Sequence, residues 1–170
     1  MDFEIIWQLP EKEWEKANRM RHKHAPGSDY DRTLTPLYDL LYGPVQMVYG
    51  PDKLFPKWQN STTIGLRMPL LDVAVGLHQI LQMETSENEA GEAHAYYILH
   101  ETRLTFSATR KDDLIEFTVS ESQSQPLLLP SAAFARGIRE FLQSFIGQVK
   151  NKVPKILEWE SVTPLRSDQF

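Results

Sequence analysis

Apolar and polar positions alternate from the first residues: Phe3, Ile5, Trp7 and Leu9 interleave with Asp2, Glu4 and Gln8. A period of two predicts a half-buried strand. Pro10 ends it and suits the first turn of a helix. Glu11, Glu13 and Glu15 come early in that helix, and Arg19, Arg21, His22, Lys23 and His24 come late. This order complements the helix dipole at both ends. Its apolar face is thin (Trp14, Ala17, Met20), and Pro26-Gly27-Ser28-Asp29 stops it. Residues 38–42 and 45–49 read as strands, with Gly43-Pro44 as a turn between them and Gly50-Pro51-Asp52 as a turn after. Residues 37–41 read equally as a short helix. Ser61-Thr62-Thr63 opens a short extended stretch.

The pattern changes at residues 69–83. Leu70, Val73, Leu77 and Ile80/Leu81 fall on one helical face, widened by Leu71 and Val75. The spacing predicts a well-buried helix. Residues 84–92 have no periodicity and read as an acidic loop. Three short runs then form an expected antiparallel meander over 93–100, 103–109 and 114–120, with Arg110-Lys111-Asp112-Asp113 as its second turn. In one register Leu99, Tyr97 and Ala95 face Leu104, Phe106 and Ala108, and these in turn face Val119, Phe117 and Ile115. All nine then share one face, as a half-buried sheet requires. The Glu101-Thr102 turn lacks the usual Gly or Asn. A long helix follows, with Ser131 as N-cap and an apolar stripe of Phe134, Ile138, Phe141, Phe145 and Val149. Gly137 and Gly147 mark places for close packing on the sheet. Residues 155–170 read as an arm with a short strand and a loose tail.

The fold class expected is therefore α+β: an antiparallel sheet of about five to six strands against two or three helices. The length, 170 residues, suits a single domain. Zero cysteines exclude a disulfide framework, a thiolate nucleophile and Cys-ligated metal sites. A pI near 5.5 argues against a general nucleic-acid binder. No stretch reads as a membrane span or a secretory signal, so a cytoplasmic location is the expectation. The net charge of −5 is unevenly spread: −1 over residues 1–60, −6 over 61–130 and +2 over 131–170. Glu84, Glu87, Glu89 and Glu92 form the densest acidic group, and Asp112, Asp113, Glu116 and Glu121 a second.

Candidate chemistry is sparse. No G-x-S-x-G, phosphate-cradling glycine loop or H-E-x-x-H is present. His22 and His24 sit in a basic helix end and read as solvated. His94 and His100 share strand parity, but six residues of strand, roughly 20 Å, separate them too far for one metal ion. His78 reads as a partly buried structural residue. The carboxylate pairs Asp112/Asp113 and Glu158/Glu160 lack a signal for an enclosing cleft. Tyr38, Tyr42, Tyr49, Phe55 and Trp58 form either a satellite core or an aromatic binding surface. No cofactor and no metal is expected.

Short N-terminal strands, the helix opening Pro69-Leu70-Leu71-Asp72-Val73-Ala74, the meander and the long helix over 134–153 follow in that order. This layout resembles the small acidic immunity proteins of bacterial polymorphic toxin and contact-dependent inhibition systems. That diverse class shares no catalytic or binding residues that transfer to particular positions. The resemblance implies a cytosolic, non-enzymatic protein that binds and neutralises one cognate toxin domain, often a nuclease. A basic nuclease cleft would attract clustered carboxylates, which makes Glu84, Glu87, Glu89, Glu92, Asp112, Asp113 and Glu116 the candidate partner-binding residues. The alternative is a small-ligand module with a cavity between the Tyr97/Phe106/Phe117 face and the Phe134/Phe141/Phe145 stripe. A third reading is a hydrolase using His94 or His100 with a nearby carboxylate.

Overall fold

The computed structural model describes residues 1–23, 40–54, 66–82, 92–100, 102, 104–120 and 125–166. The expected turn at Pro26–Asp29 and the aromatics Tyr38, Phe55 and Trp58 lie outside the described residues. So do Ser61–Thr63, Glu84, Glu87, Glu89, Glu121, the side chains of His22 and His24, and residues 167–170.

The elements in chain order are β1 (Phe3–Trp7), α1 (Glu11–Lys23), β2 (Tyr42–Tyr49), β3 (Asp52–Leu54), β4 (Leu66–Pro69), α2 (Leu70–Leu81), β5 (Glu92–Ile98), β6 (Thr105–Lys111), β7 (Leu114–Val119), β8 (Leu127–Pro130) and α3 (Ser131–Lys152). Two 3-10 turns, Pro154–Glu158 and Glu160–Leu165, follow. The protein is α+β with the expected long C-terminal helix. Its strands divide into two antiparallel sheets of four.

In sheet A, β2 is central. β1 lies along one side, while β4 and β3 share the other, over residues 42–45 and 47–49 of β2. Gly43-Pro44, expected as a turn, lies inside β2. Pro44 is tolerated because β1 ends at Trp7: only the Pro44 carbonyl is needed there, accepting from the Gln8 N–H at 3.3 Å. Gly43 is required, because a Cβ there would collide with the Gln8 carbonyl oxygen.

Sheet B is the meander β5-β6-β7-β8. Its first hairpin has the expected register, with Tyr97 opposite Phe106 and Ala95 opposite Ala108. The second is shifted by two residues: Phe106 faces Val119 and Ala108 faces Phe117. The ladder continues through Lys111 and Leu114, and the loop shrinks to Asp112-Asp113. Asp112 makes this possible by adopting φ 52°, a conformation that Asp tolerates better than most residues. A two-residue shift preserves side-chain parity. The nine expected residues therefore still share the inner face, and all but Ala95 are buried.

α2 and α3 cover that inner face. The stripe expected on α2 is buried, and so is Asp72 among it. α3 runs alongside β1 in the same direction. Gly137 meets Phe3, where a Cβ would strike the Phe3 carbonyl, and Trp7 stands edge-on to Phe141 and Phe145 with centroids 6.3 and 5.4 Å away. Gly147 has open space where its Cβ would be, so only Gly137 marks a close approach. Ser131 is the first helical residue rather than the N-cap; Pro130 caps, and the Ser131 N–H donates to the Asp113 carbonyl at 2.8 Å.

α1 closes the other end of α3. Lys152 pairs with Glu11 at 2.7 Å and lies over the Trp14 ring at 5.4 Å, while Asn18 donates to the Lys152 carbonyl. Glu13, expected only to complement the helix dipole, is buried. It accepts from the Tyr42 backbone N–H at 3.3 Å and from Arg67 at 2.9 Å, tying α1 to β2 and β4. Residues 155–166, expected as an arm with a strand, instead dock as 3-10 turns through buried Ile156, Val162 and Leu165. The Arg166 guanidinium holds them by donating to the Leu157, Glu158 and Trp159 carbonyls.

Candidate functional site

Strand alternation sends one set of sheet B side chains outward. The register aligns them in rows: Glu92, Lys111, Leu114 and Pro130; then His94, Thr109, Glu116 and Leu128; then Tyr96, Ser107 and Thr118. Tyr96 is 67% exposed, Leu128 59%, Ile98 53% and Leu114 46%. These four are most of the exposed large hydrophobics among the described residues; Met1 and Ile6 are the others. An antiparallel sheet with one wet face ordinarily makes that face polar. Here apolar side chains at both margins flank a polar middle of Ser107, Thr109 and Thr118.

Of the expected partner-binding residues, the described ones converge at one end of this sheet. Glu116 is exposed in the second row, and Asp112 and Asp113 form the hairpin tip. Glu92 begins β5 and pairs with Lys111 at 3.4 Å, with the His94 ring 3.6 Å away. His94 also meets the Thr109 hydroxyl at 3.1 Å. It is a surface residue on the outer face.

His100 does not share that side. The chain leaves β5 after Ile98, strand alternation stops, and the His100 ring turns back toward α2. There Asp72, 0% exposed, accepts from the Tyr97 hydroxyl at 2.7 Å, from the His100 backbone N–H at 2.6 Å, and faces His100 Nδ1 at 2.9 Å. Asp72 lies in the first turn of α2, where the dipole favours an acidic group. Gly76, one turn on, lets Tyr97 reach it: a Cβ there would penetrate the Tyr97 ring. This buried cluster joins α2 to the end of β5. The sequence does not announce it: there Tyr97 reads as an apolar-face residue and Asp72 as one position of the helix opening Pro69–Ala74. The available signal was a lone carboxyl inside the most apolar segment, followed at i+4 by a glycine.

The hydrolase reading asks for a His–carboxylate contact in a polar pocket. The contact exists at His100–Asp72. A groove of about 490 Å³ lies elsewhere, between β1 and α3, and neither histidine lines it. Among the described residues no group of three or more His, Asp or Glu is placed to hold a metal ion. No helix among them is long and apolar enough to cross a membrane.

His78, on the same helix as Asp72, is held below its ordinary value of 6.5 by burial. The unfolded chain therefore binds this proton more readily than the folded one between the depressed value and 6.5. Stability is complete above 6.5 and is lost as pH falls through that window. Thermal melts from about pH 7.5 to about pH 5 should show a fall in Tm that His78→Gln reduces. An unchanged pH profile in the variant would remove His78 as the cause.

The sheet–helix space proposed for a ligand is occupied by rings. Phe117 lies 5.1 Å from Phe134 and 5.9 Å from Phe106 by centroid, and Phe3 from β1 inserts 5.3 Å from Phe134. Comparison with protein-family models, curated proteins and solved structures gives no match, so the reading of this chain rests on its own residues.

Proposed function

We propose that this protein is a non-enzymatic immunity protein that binds and neutralises a cognate bacterial toxin domain in the cytoplasm, using the outer face of sheet B. The observation that carries this reading is the coincidence on one four-stranded face of apolar anchors and carboxylates. Tyr96, Ile98, Leu114 and Leu128 are exposed there, and Glu116, Asp112, Asp113 and Glu92 stand at one end. Exposed aromatic and aliphatic side chains supply interface energy. Unbalanced charge steers association and sets specificity. Four carboxylates against Arg110 and Lys111 leave that end net negative and suit a basic partner surface, such as the cleft of a nuclease. Glu84, Glu87 and Glu89 belong to the same proposal through the sequence that leads into β5. The packed Phe106/Phe117/Phe134 rings count against a ligand cavity and so favour binding through a surface.

The test uses the C-terminal domain of the polypeptide encoded immediately upstream of this gene. Cells producing that domain should survive when this protein is co-produced. Charge reversal of Glu92, Asp112, Asp113 and Glu116 to Lys should weaken the complex by about 100-fold or more and abolish protection. Full protection by the folded, charge-reversed protein would refute the acidic end as the docking site.

A further inference from the structure

A second binding feature lies on sheet A. β1 is an edge strand: β2 pairs with one side of it, and no described strand pairs with the other. Backbone parity shows which groups face outward. The Gln8 N–H donates to the Pro44 carbonyl, so even-numbered residues of β1 direct their N–H and C=O toward β2. Phe3, Ile5 and Trp7 direct theirs to the open side. The Phe3 carbonyl is covered by the close approach of Gly137. No described strand pairs with the outward backbone groups of Ile5 and Trp7, and both residues line the groove of about 490 Å³ between β1 and α3. Its walls carry Asp2, Glu4 and Glu140 against Arg136, and Arg136 is already paired with Asp2.

We propose that this groove takes an extended, lysine- or arginine-bearing peptide segment of a partner protein, which joins sheet A as a further strand beside β1. The main chain of the added strand satisfies Ile5 and Trp7. Its outward side chains lie beside Glu4 and Ile6, and its inward ones beside Ile5, Trp7 and Phe141, so alternating basic and apolar residues fit best. Charge also selects against a second copy of this chain, which would bring Asp2, Glu4 and Glu140 near their own duplicates in a protein of net charge −5. The proposal concerns a different sheet from the toxin-binding face, so the failure of either leaves the other standing.

The experiment is an NMR titration of the full chain with a short capped peptide of alternating lysine and valine. Parallel titrations use the same peptide with glutamate replacing lysine, and one with alternate amides N-methylated. The lysine peptide should bind saturably, shift resonances of residues 2–7 and 136–144, and slow amide exchange at Ile5 and Trp7. The other two peptides should bind at least about tenfold more weakly, as should the lysine peptide to the Glu4→Lys/Glu140→Lys variant. Equal binding of the glutamate or N-methylated peptide, shifts centred on another edge, or no binding would each overturn the proposal. So would self-association of the chain through β1.

Discussion

Replacing Asp72 by alanine should lower the unfolding free energy by about 3–5 kcal/mol, a large part of what a domain of this size possesses. Asp72 is fully buried, and its two oxygens serve three groups drawn from two separate parts of β5 and the turn after it. Alanine would leave the His100 backbone N–H without its acceptor and the Tyr97 hydroxyl with only His100 Nδ1, 3.3 Å away. Each abandoned donor costs its desolvation. Tyr97→Phe removes one donor and leaves the others served, so it should cost only about 1 kcal/mol. Urea unfolding of the two variants checks both figures. An Asp72→Ala protein within about 0.5 kcal/mol of wild type would show that the cluster contributes little to the fold.

Phe117→Ala should cost about 3–5 kcal/mol. Phe117 is the ring on which sheet B, α3 and β1 meet: Phe106 lies 5.9 Å away, Phe134 5.1 Å and Phe3 6.5 Å, edge-on. Truncation would open a dry cavity lined by the other three, and those elements cannot collapse into it together. A small apolar molecule such as benzene should then restore part of the lost Tm, as dry cavities bind such ligands. The same measurement bears on the ligand-module alternative. If the wild-type protein enclosed a roomy cavity here, removing one ring from its wall would cost nearer the transfer term alone, about 1.5–3 kcal/mol. The wild type would also bind the apolar probe.

The parts of this architecture that depend on local periodicity were legible in the sequence. Leu70, Val73, Leu77 and Ile80 announced α2, and Phe134 to Val149 announced α3, because a helix buries one stripe. The inner face of sheet B was legible for the same reason. Its second hairpin register was not. Alternation is unchanged by a two-residue shift, and the shift turned on Asp112 adopting a positive φ. Gly43-Pro44 misled because a strand interior tolerates Pro only where the neighbouring strand has ended. The two sheets could not be separated, since the pairing of β2 with β4 joins residues far apart in the chain. The Asp72 cluster was hidden for a related reason: Tyr97 looks apolar by position, and its polar end finds a partner only in three dimensions. The outward rows of sheet B were implicit in the alternation, but Tyr96, Ile98, Leu114 and Leu128 acquired meaning only when the register aligned them. Charge density along the sequence marks Asp112, Asp113 and Glu116, and the hairpin places them at one end of that face.

The most direct measurement is amide hydrogen exchange across the protein, free and mixed with the C-terminal domain of the polypeptide encoded immediately upstream, the partner proposed above. A one-to-one complex is expected in which exchange slows along β5 to β8, chiefly around Tyr96, Leu114, Glu116 and Leu128, and at the Asp112-Asp113 tip. Protection confined to other elements, or no complex between the two proteins, would contradict it.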